Sequence, residues 1–230
     1  MKHPPLKFWS ALILAWLTVS PIQAGTVVGT VSGQGAVDTG AAGGGAYASR
    51  RYKFVERVDY DRLTDFVVYI DQPVDVTGEP PKHPAAVVQK DAAFDPHVLP
   101  VMVGTAVRWP NEDDIYHNVF SMSETKDFNL GLYKDKTDNA PAVLFDRLGR
   151  VDVFCGIHSK MHCIILVVPS RFFAVADARG NFRIENIPPG TYRLKAWHER
   201  LPARVTEVTV PETGEVKVDF VLSLGEPHND

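Results

Sequence analysis

Cysteine is scarce in this sequence, which has Cys155 and Cys163 and no other among its 230 residues. Two cysteines form at most one intramolecular disulfide, which cannot by itself stabilise a chain of this length. Its stability must therefore come from a buried apolar core. A disulfide between them is one alternative, because they lie at the two ends of a short loop and an oxidising compartment would allow the bond. A free thiol with a chemical role is the other.

Long apolar runs are confined to one stretch near the N-terminus. Lys2 and Lys7 come before an apolar run at 8–19, and small residues then lead to Ala24. A basic segment, a short apolar segment and a small-residue cleavage site are typical of a secretory signal peptide, here over residues 1–24. An uncleaved anchor is the alternative, but about twelve apolar residues are too few to span a bilayer comfortably. We expect an exported, periplasmic protein with no membrane attachment after cleavage.

Positive charge is not in excess, with 24 lysines and arginines against 28 aspartates and glutamates. Without Lys2 and Lys7, which belong to the predicted signal peptide, the counts become 22 and 28 and the net charge −6. A mildly acidic protein is poorly suited to nucleic acid, whose phosphates repel it. We therefore expect no nucleic-acid partner, and a protein partner with a basic surface suits this charge better.

Signatures of common enzymes are missing as well. There is no nucleophile elbow for Ser/His/Asp catalysis, and the Gly/Ala-rich stretch at 32–48 lacks the Lys-Ser/Thr ending of a phosphate-binding loop. That stretch is predicted to be a flexible loop. The sequence also lacks a His-x-His pair for a multicopper oxidase cluster and a Cys-x3-Cys spacing for a binuclear copper centre. We predict that the protein is not an enzyme.

The most informative stretch that is present runs from 151 to 168. Cys155, His158 and Met161 are spaced Cys-x2-His-x2-Met in a short loop between two predicted strands. Before the loop, valines alternate with other residues, so a strand there aims the thiol to the same side as the valines. After it, the continuous apolar run at 164–168 predicts a strand covered on both faces.

A further imidazole is available upstream as His117, inside another predicted strand. Two histidines and one cysteine with a weak axial methionine form the ligand set of a blue-copper electron-transfer site. The thiolate suits Cu(I) and the imidazoles suit both oxidation states, while a compressed loop limits changes of geometry. The predicted copper ligands are therefore His117, Cys155, His158 and Met161.

At these residues the chain resembles the cupredoxin family. The short loop is similar to the amicyanin type, and the segments 111–121 and 155–161 resemble the cupredoxin-type methylamine utilisation proteins. The resemblance covers roughly 86–169 and implies a Greek-key β-sandwich at 84–169 that holds one type 1 copper ion. It also implies that Asn118 ties the two ligand loops together by hydrogen bonds.

The function that follows is one-electron transfer between redox partner proteins, with His158 as the exit for electrons. A copper-storage or copper-delivery protein is one alternative, and a structural β protein with a vestigial site is another. Extra soft ligands for copper handling would be Met102, Met122, His162 and Cys163. For electron transfer, His162 is predicted to be a solvated neighbour of the site, with metal binding as an open alternative, and Cys163 a buried, inert thiol.

Regular short strands separated by Gly and Pro turns predict an all-β fold. Between 86 and 168 the predicted strands are 86–89, 98–101, 105–109, 117–121, 143–146, 151–155 and 163–168. Residues 124–141 are predicted to be a polar connection with an irregular turn. The acidic run at 112–114 either orients a partner or forms a solvated turn.

The C-terminal region has a different pattern. A turn at Arg179-Gly180, a strand, a Pro-Pro-Gly turn and another strand resemble the carboxypeptidase regulatory-like, transthyretin-type sandwich. Since that fold usually opens with strands like those at 27–31 and 66–70, we predict that 25–80 and 170–224 together form a second, smaller sandwich. The copper domain at 84–169 would then be inserted in it, with 225–230 as a tail.

The second sandwich is predicted to serve as a scaffold or to bind a partner. Its tripeptide Trp197-His198-Glu199 could be read as a second site. The favoured interpretation is a strand end with an aromatic anchor and solvated polar neighbours.

Overall fold

The structure is a computed structural model that describes residues 24–35, 58–74, 85–134 and 140–224. Strands dominate these ranges, and the one helix in them is the 3-10 turn Tyr60–Arg62. The predicted all-β fold is confirmed. No helix in the described part of the chain is long and apolar enough to cross a membrane. Most of the predicted signal peptide and the tail at 225–230 lie outside the described residues.

The described residues contain eighteen strands. In the first half they are β1 Gly25–Gln34, β2 Val67–Ile70, β3 Ala85–Ala86, β4 Val88–Lys90, β5 Ala93–Asp95, β6 Val98–Met102, β7 Thr105–Arg108, β8 His117–Ser123 and β9 Lys126–Tyr133. In the second half they are β10 Ala142–Phe145, β11 Gly149–Phe154, β12 His162–Val168, β13 Phe173–Val175, β14 Asn181–Ile187, β15 Gly190–His198, β16 Leu201–Val210, β17 Glu215–Lys217 and β18 Phe220–Ser223.

The middle of the chain forms one sandwich. Its larger sheet has the strand order β6-β12-β11-β8-β9 and its smaller sheet the order β10-β7-β3. Side chains of both sheets share one core, in which Trp109, Phe145 and Val153 are buried. In β11 the burial alternates, so Val151 and Val153 face this core as the period of two predicts. Strand β11 ends at Phe154, and Cys155, the next residue, lies at the end of the core.

Strands from the two ends of the chain form the other sandwich. One sheet places β1 between β14 and β17, with β18 also paired to β1, and the other has the order β13-β2-β15-β16. Val27, Ile70, Leu194 and Leu222 are among the residues buried in their shared core. Strands β3 to β12 thus lie in sequence between segments that pair with each other. The domain bounds given above stay a prediction.

Strand β12 is buried on both faces, which confirms the expectation from its continuous apolar run. Cys163, Ile165 and Val167 face the middle sandwich core. Ile164, Leu166 and Val168 face the opposite way and pack in a third cluster with Val67 and Tyr69 of β2. This apolar layer joins the two sandwiches, because β2 belongs to a sheet of the terminal sandwich.

Three strand predictions need correction. Within the region expected to be a polar connection, residues 126–133 form β9 and pair with β8, because alternate side chains, Phe128 and Leu130, pack on the core while the polar ones face out. The strand expected at 86–89 divides into β3 and β4. The last strand of the C-terminal region, which its sequence predicts at 216–222, divides into β17 and β18. Between β17 and β18, the Val218 carbonyl lies so close to Gly29 of β1 that any side chain at residue 29 would collide with it.

Candidate metal centre

The loop from β11 to β12 presents the predicted donors in a compact turn. The Cys155 N–H donates to the Met161 carbonyl at 3.2 Å, and the Met161 N–H donates to the His158 carbonyl at 2.9 Å. Cys155 and Met161 are buried in the core, whereas His158 is half-buried at the surface. Two backbone hydrogen bonds over so few residues hold the loop closed.

Three donor atoms converge at this loop. The Cys155 Sγ lies 3.7 Å from the His158 Nδ1 and 3.9 Å from the His117 Nδ1. The two Nδ1 atoms are 3.0 Å apart. Bonds from a metal ion are about 2.0 Å to an imidazole nitrogen and about 2.3 Å to a thiolate sulfur. The spacings of the three donor atoms therefore suit one shared ion. The structure therefore brings together His117, Cys155 and His158, and places Met161 in the same loop and core.

The orientation of the His117 ring is set by Asp113. Its Nε2 lies 2.7 Å from the Asp113 Oδ2, and an ionised carboxylate can only accept, so Nε2 carries the proton. The lone pair is then on Nδ1, which faces Cys155 and His158. Metal-binding histidines commonly donate their second ring N–H to a carboxylate in this way.

Asp113 is itself held by the turn between β4 and β5. The backbone N–H groups of Asp91 and Ala92 donate to its two carboxylate oxygens at 2.7 and 3.0 Å. Both turn residues adopt left-handed backbone angles, with φ of 53° and 54°, which aims the two N–H groups to the same side. Burial would raise the pKa of Asp113, but the hydrogen bonds from Ala92, His117 and Asp91 outweigh it and lower the pKa below its usual value. Asp113 therefore stays charged.

The role of Asp113 was not found from the sequence. It is 12% exposed and faces the site, so the description of the acidic run as a partner-orienting group or a solvated turn is wrong for this residue. The buried Asn111 shapes the loop, because its side chain donates to the Ile115 carbonyl and accepts the N–H of Asp113. An Asn directly after Pro110 is the one local signal of such a turn.

Asn118 differs from what the family resemblance implies. Its amide nitrogen donates to the Asn129 Oδ1 at 2.8 Å, so this hydrogen bond joins β8 to β9 rather than to the other ligand loop. The Asn118 Oδ1 instead lies against Gly156, where a Cβ would be only 2.9 Å away. A side chain at 156 would therefore require the Asn118 side chain to shift.

The two residues after Met161 differ in exposure, with His162 half-buried and Cys163 fully buried. His162 stacks on Phe154 with 4.9 Å between ring centroids, and its Nε2 lies 2.9 Å from the Asp152 Oδ1. Cys163 is fully buried, and burial followed by the nearby Asp152 charge raises the pKa of its thiol far above the usual range. Both cysteines are free, so the disulfide alternative is wrong.

His198 in the Trp197-His198-Glu199 tripeptide is also buried, which corrects the expectation of a solvated neighbour. Its ring lies 4.7 Å from that of Phe66, and its Nδ1 accepts the N–H of Arg200 at 3.1 Å. Burial lowers the pKa of His198 in spite of the Glu199 and Asp65 carboxylates. The ring is thus a neutral part of the fold.

Comparison with protein families gives one match, in the C-terminal region. Residues 170–218 match the model of a family described as domain II of polysaccharide lyase family 4. That description differs from the carboxypeptidase regulatory-like family that the motif resembles, which stays a prediction. No curated protein matches the chain.

Solved structures similar to this chain include cupredoxins. A reduced tryptophan-to-tyrosine variant of amicyanin is 22% identical with a TM-score of 0.35, and the match covers 39% of this chain and 86% of amicyanin. A purple cupredoxin from Nitrosopumilus maritimus is 22% identical with a TM-score of 0.32, covering 36% and 98%. A copper-containing nitrite reductase from Thermus scotoductus is 26% identical with a TM-score of 0.35; the match covers 42% of this chain and only 25% of the reductase.

Proposed function

We propose that this chain is a type 1 copper protein that carries single electrons, with His117, Cys155, His158 and Met161 as the ligands. The observation that carries the proposal is the convergence of one buried thiol and two imidazole Nδ1 atoms within 3.9 Å of one another. Copper, when bound, supplies a one-electron couple between Cu(I) and Cu(II), which this soft and borderline donor set suits.

The surrounding residues support a rigid site. Asp113 fixes the His117 tautomer, and the loop hydrogen bonds fix Cys155 and Met161 relative to each other. Burial of His117 and Cys155 keeps water away from the donors. A site that cannot rearrange changes little between oxidation states, and this favours fast electron transfer.

Exposure of the two histidines distinguishes their roles. His117 is fully buried, whereas His158 is half-buried, so His158 offers the shorter path to a partner. Exposed apolar side chains next to the ligands in sequence, Ile115, Tyr116 and Ile157, give that surface a character suited to brief protein contacts. We propose redox proteins of the periplasm as the partners and the short-loop amicyanin type as the subclass.

The inserted arrangement of the copper domain belongs to the same proposal. Pairing of β1 with β14, β17 and β18 supports a sandwich built from 25–80 and 170–224. Pairing of β2 with β13 and β15 supports it further. In this view the transthyretin-type sandwich is the scaffold on which the copper domain at 84–169 is mounted.

Copper handling is less well supported by the structure. Of the extra soft ligands that it would use, Met122 is 78% exposed and Cys163 is fully buried. These two donors therefore lie in different environments, one in solvent and one in the core. A route for copper transfer would need them in the same environment.

The test is to add Cu(II) to the reduced mature protein and record visible and EPR spectra. We expect an intense thiolate-to-copper band with narrow copper hyperfine splitting, and a reversible one-electron wave in voltammetry. Cys155→Ser should abolish the band, whereas the matched variant Cys163→Ala should keep it, since Cys163 is not one of the three donors that converge at the site. A weak tetragonal copper signal that is unchanged in Cys155→Ser would refute the proposal.

A further inference from the structure

Two histidines and a glutamate from distant parts of the sequence meet where the two sandwiches join. His97 lies just before β6, His162 is the first residue of β12, and Glu199 is in the turn between β15 and β16. One donor atom of each lies within 4.8 Å of the other two. We propose that these three residues form a second metal site, for a borderline divalent cation such as Zn(II), separate from the thiolate site.

The direct contacts show how closely the donors approach. The His97 Nε2 is 3.2 Å from the Glu199 Oε2, and the rings of His97 and His162 are 5.5 Å apart at an angle of 69°. The backbone holds His97 in place, because its carbonyl accepts the Ile164 N–H at 2.8 Å. All three side chains are half-buried, so a cation could enter from solvent and still be partly shielded.

Each histidine already has the supporting hydrogen bond that metal-binding histidines use. The His97 Nδ1 lies 3.2 Å from the His162 carbonyl, which can only accept, so this nitrogen carries a proton. The His162 Nε2 lies 2.9 Å from the Asp152 carboxylate, which Arg150 clasps through two nitrogens at 2.6 and 2.8 Å. Carbonyl and carboxylate partners of this kind fix the tautomer and leave the opposite ring nitrogen free to bind a metal.

The two ring nitrogens of His97 face more hydrogen-bond acceptors than a neutral imidazole can satisfy. Both of its nitrogens face oxygen atoms that accept, one from the His162 carbonyl and one from Glu199. A neutral imidazole has one proton and satisfies only one of them, so the second position needs either another proton or a metal ion.

The donor set indicates the class of cation. Two imidazoles and one carboxylate without sulfur suit Zn(II), Ni(II) or Cu(II), whereas Cu(I) prefers thiolate and thioether. Three protein ligands leave at least one position for water. Because Glu199 comes from the terminal sandwich and both histidines from the middle one, a bound ion would fasten the β15–β16 turn to the copper-binding half of the molecule.

Cobalt(II) is a suitable probe, because a thiolate ligand gives it an intense charge-transfer band and an imidazole–carboxylate site does not. The parent for the test is the full chain with His117→Ala and Cys155→Ser, which removes the first site and makes the result independent of the proposed electron transfer. We expect this parent to bind one Co(II) with ligand-field bands only, and Zn(II) to displace it, which is seen as the loss of those bands.

Variants of the cluster then assign the ligands. His97→Ala and Glu199→Gln should each weaken Zn(II) binding by at least about tenfold, and Asp152→Asn, which removes a supporting carboxylate, by about 10- to 100-fold. Glu207→Gln, at an exposed carboxylate on the same hairpin, should leave the affinity unchanged. Glu199→Gln is nearly isosteric, and its metal-free melting temperature should match that of the parent, which separates ligand loss from misfolding.

Either of two results would overturn the second site. One is a parent protein that takes up no stoichiometric Co(II). The other is Glu199→Gln binding Zn(II) as tightly as the parent, which would leave His97 and Glu199 as an ordinary ion pair.

Discussion

Among the described residues each sandwich buries one histidine, and the partners of the two rings differ. His117 in the middle sandwich is fully buried and His198 in the terminal one is 4% exposed. The His198 Nδ1 accepts the N–H of Arg200 two residues away, and its ring packs on Phe66. The His117 Nδ1 instead faces the side chains of His158 and Cys155 from the loop between β11 and β12. Burial alone therefore does not mark a candidate metal ligand, whereas a ring nitrogen that faces other donors does.

The largest expected effect is at His117. His117→Ala should remove the thiolate-to-copper band of the Cu(II)-loaded protein, because it deletes a donor that lies 3.9 Å from the thiol. The visible spectrum measures this, with exogenous imidazole added to test for rescue. An unchanged blue band would show that His117, like His198, is a structural residue and does not bind copper.

The next largest effect tests the layer that joins the sandwiches. Leu166→Ala should lower the free energy of unfolding by about 2–5 kcal/mol, because the side chain is buried in that layer and its loss leaves a cavity. Denaturant unfolding measures the change. Leu132→Ala, at an exposed leucine of β9, is the control and should cost no more than about 0.5 kcal/mol. Equal effects of the two variants would contradict the description of the layer.

His198→Ala should affect stability and not copper. It removes the acceptor of a part-buried hydrogen bond from the Arg200 N–H and a buried ring that packs on Phe66, which should cost about 1–3 kcal/mol. The blue spectrum should keep its intensity and position. If His198→Ala lost the band and kept its stability, His198 would act at the copper site and would not be a structural residue.

A smaller effect is expected at the support of His117. Asp113→Asn keeps an oxygen acceptor but removes the charge that faces the ring, so copper affinity should fall by about 10- to 100-fold. Competition with a chelator of known affinity measures it. Glu112→Gln is the matched control, because Glu112 is exposed and its carboxylate pairs with the exposed Lys90 at 3.6 Å. Similar losses in both variants would show that general charge, rather than the His117 contact, is responsible.

The smallest effect is a pH dependence in the terminal sandwich. Hydrogen bonds from the Asn181 side chain and backbone, and from the Arg179 N–H, lower the pKa of Asp177 below its usual value. Its contribution to stability is therefore present above the unfolded pKa of about 3.9 and is lost as the pH falls through the lower folded pKa. The stability difference between the wild type and Asp177→Ala should be full at pH 7 and shrink below about pH 4. A difference that does not change with pH would contradict the pKa shift.

Local patterns were sufficient to predict much of this molecule. The continuous apolar run in β12 predicted a strand buried on both faces, and its neighbour β11 showed the expected alternation. The Cys-x2-His-x2-Met spacing predicted a turn that gathers donors, and the structure brings Cys155 and His158 together there. In each case the signal lies within a few consecutive residues, where strand period and loop length decide the geometry.

The remaining features depend on contacts that no local pattern encodes. Strand β9 contains Asn129 and Gly131, residues that are depleted in strands, and it forms because Phe128 and Leu130 find a core to cover. Asp113 reaches His117 through a loop whose shape is set by Asn111. The His97, His162 and Glu199 cluster joins segments that the sandwich topology alone brings together.

The apolar layer on the outer face of β12 has a practical consequence for anyone who wishes to isolate the middle sandwich. An excised fragment of residues 84–169 would expose Ile164, Leu166 and Val168 together with Val98 of β6, since their partners Val67 and Tyr69 would be gone. Contiguous apolar patches of this kind promote aggregation. Polar replacements on that face alone, with Cys163, Ile165 and Val167 left intact, would be needed to obtain a soluble fragment that keeps its metal site.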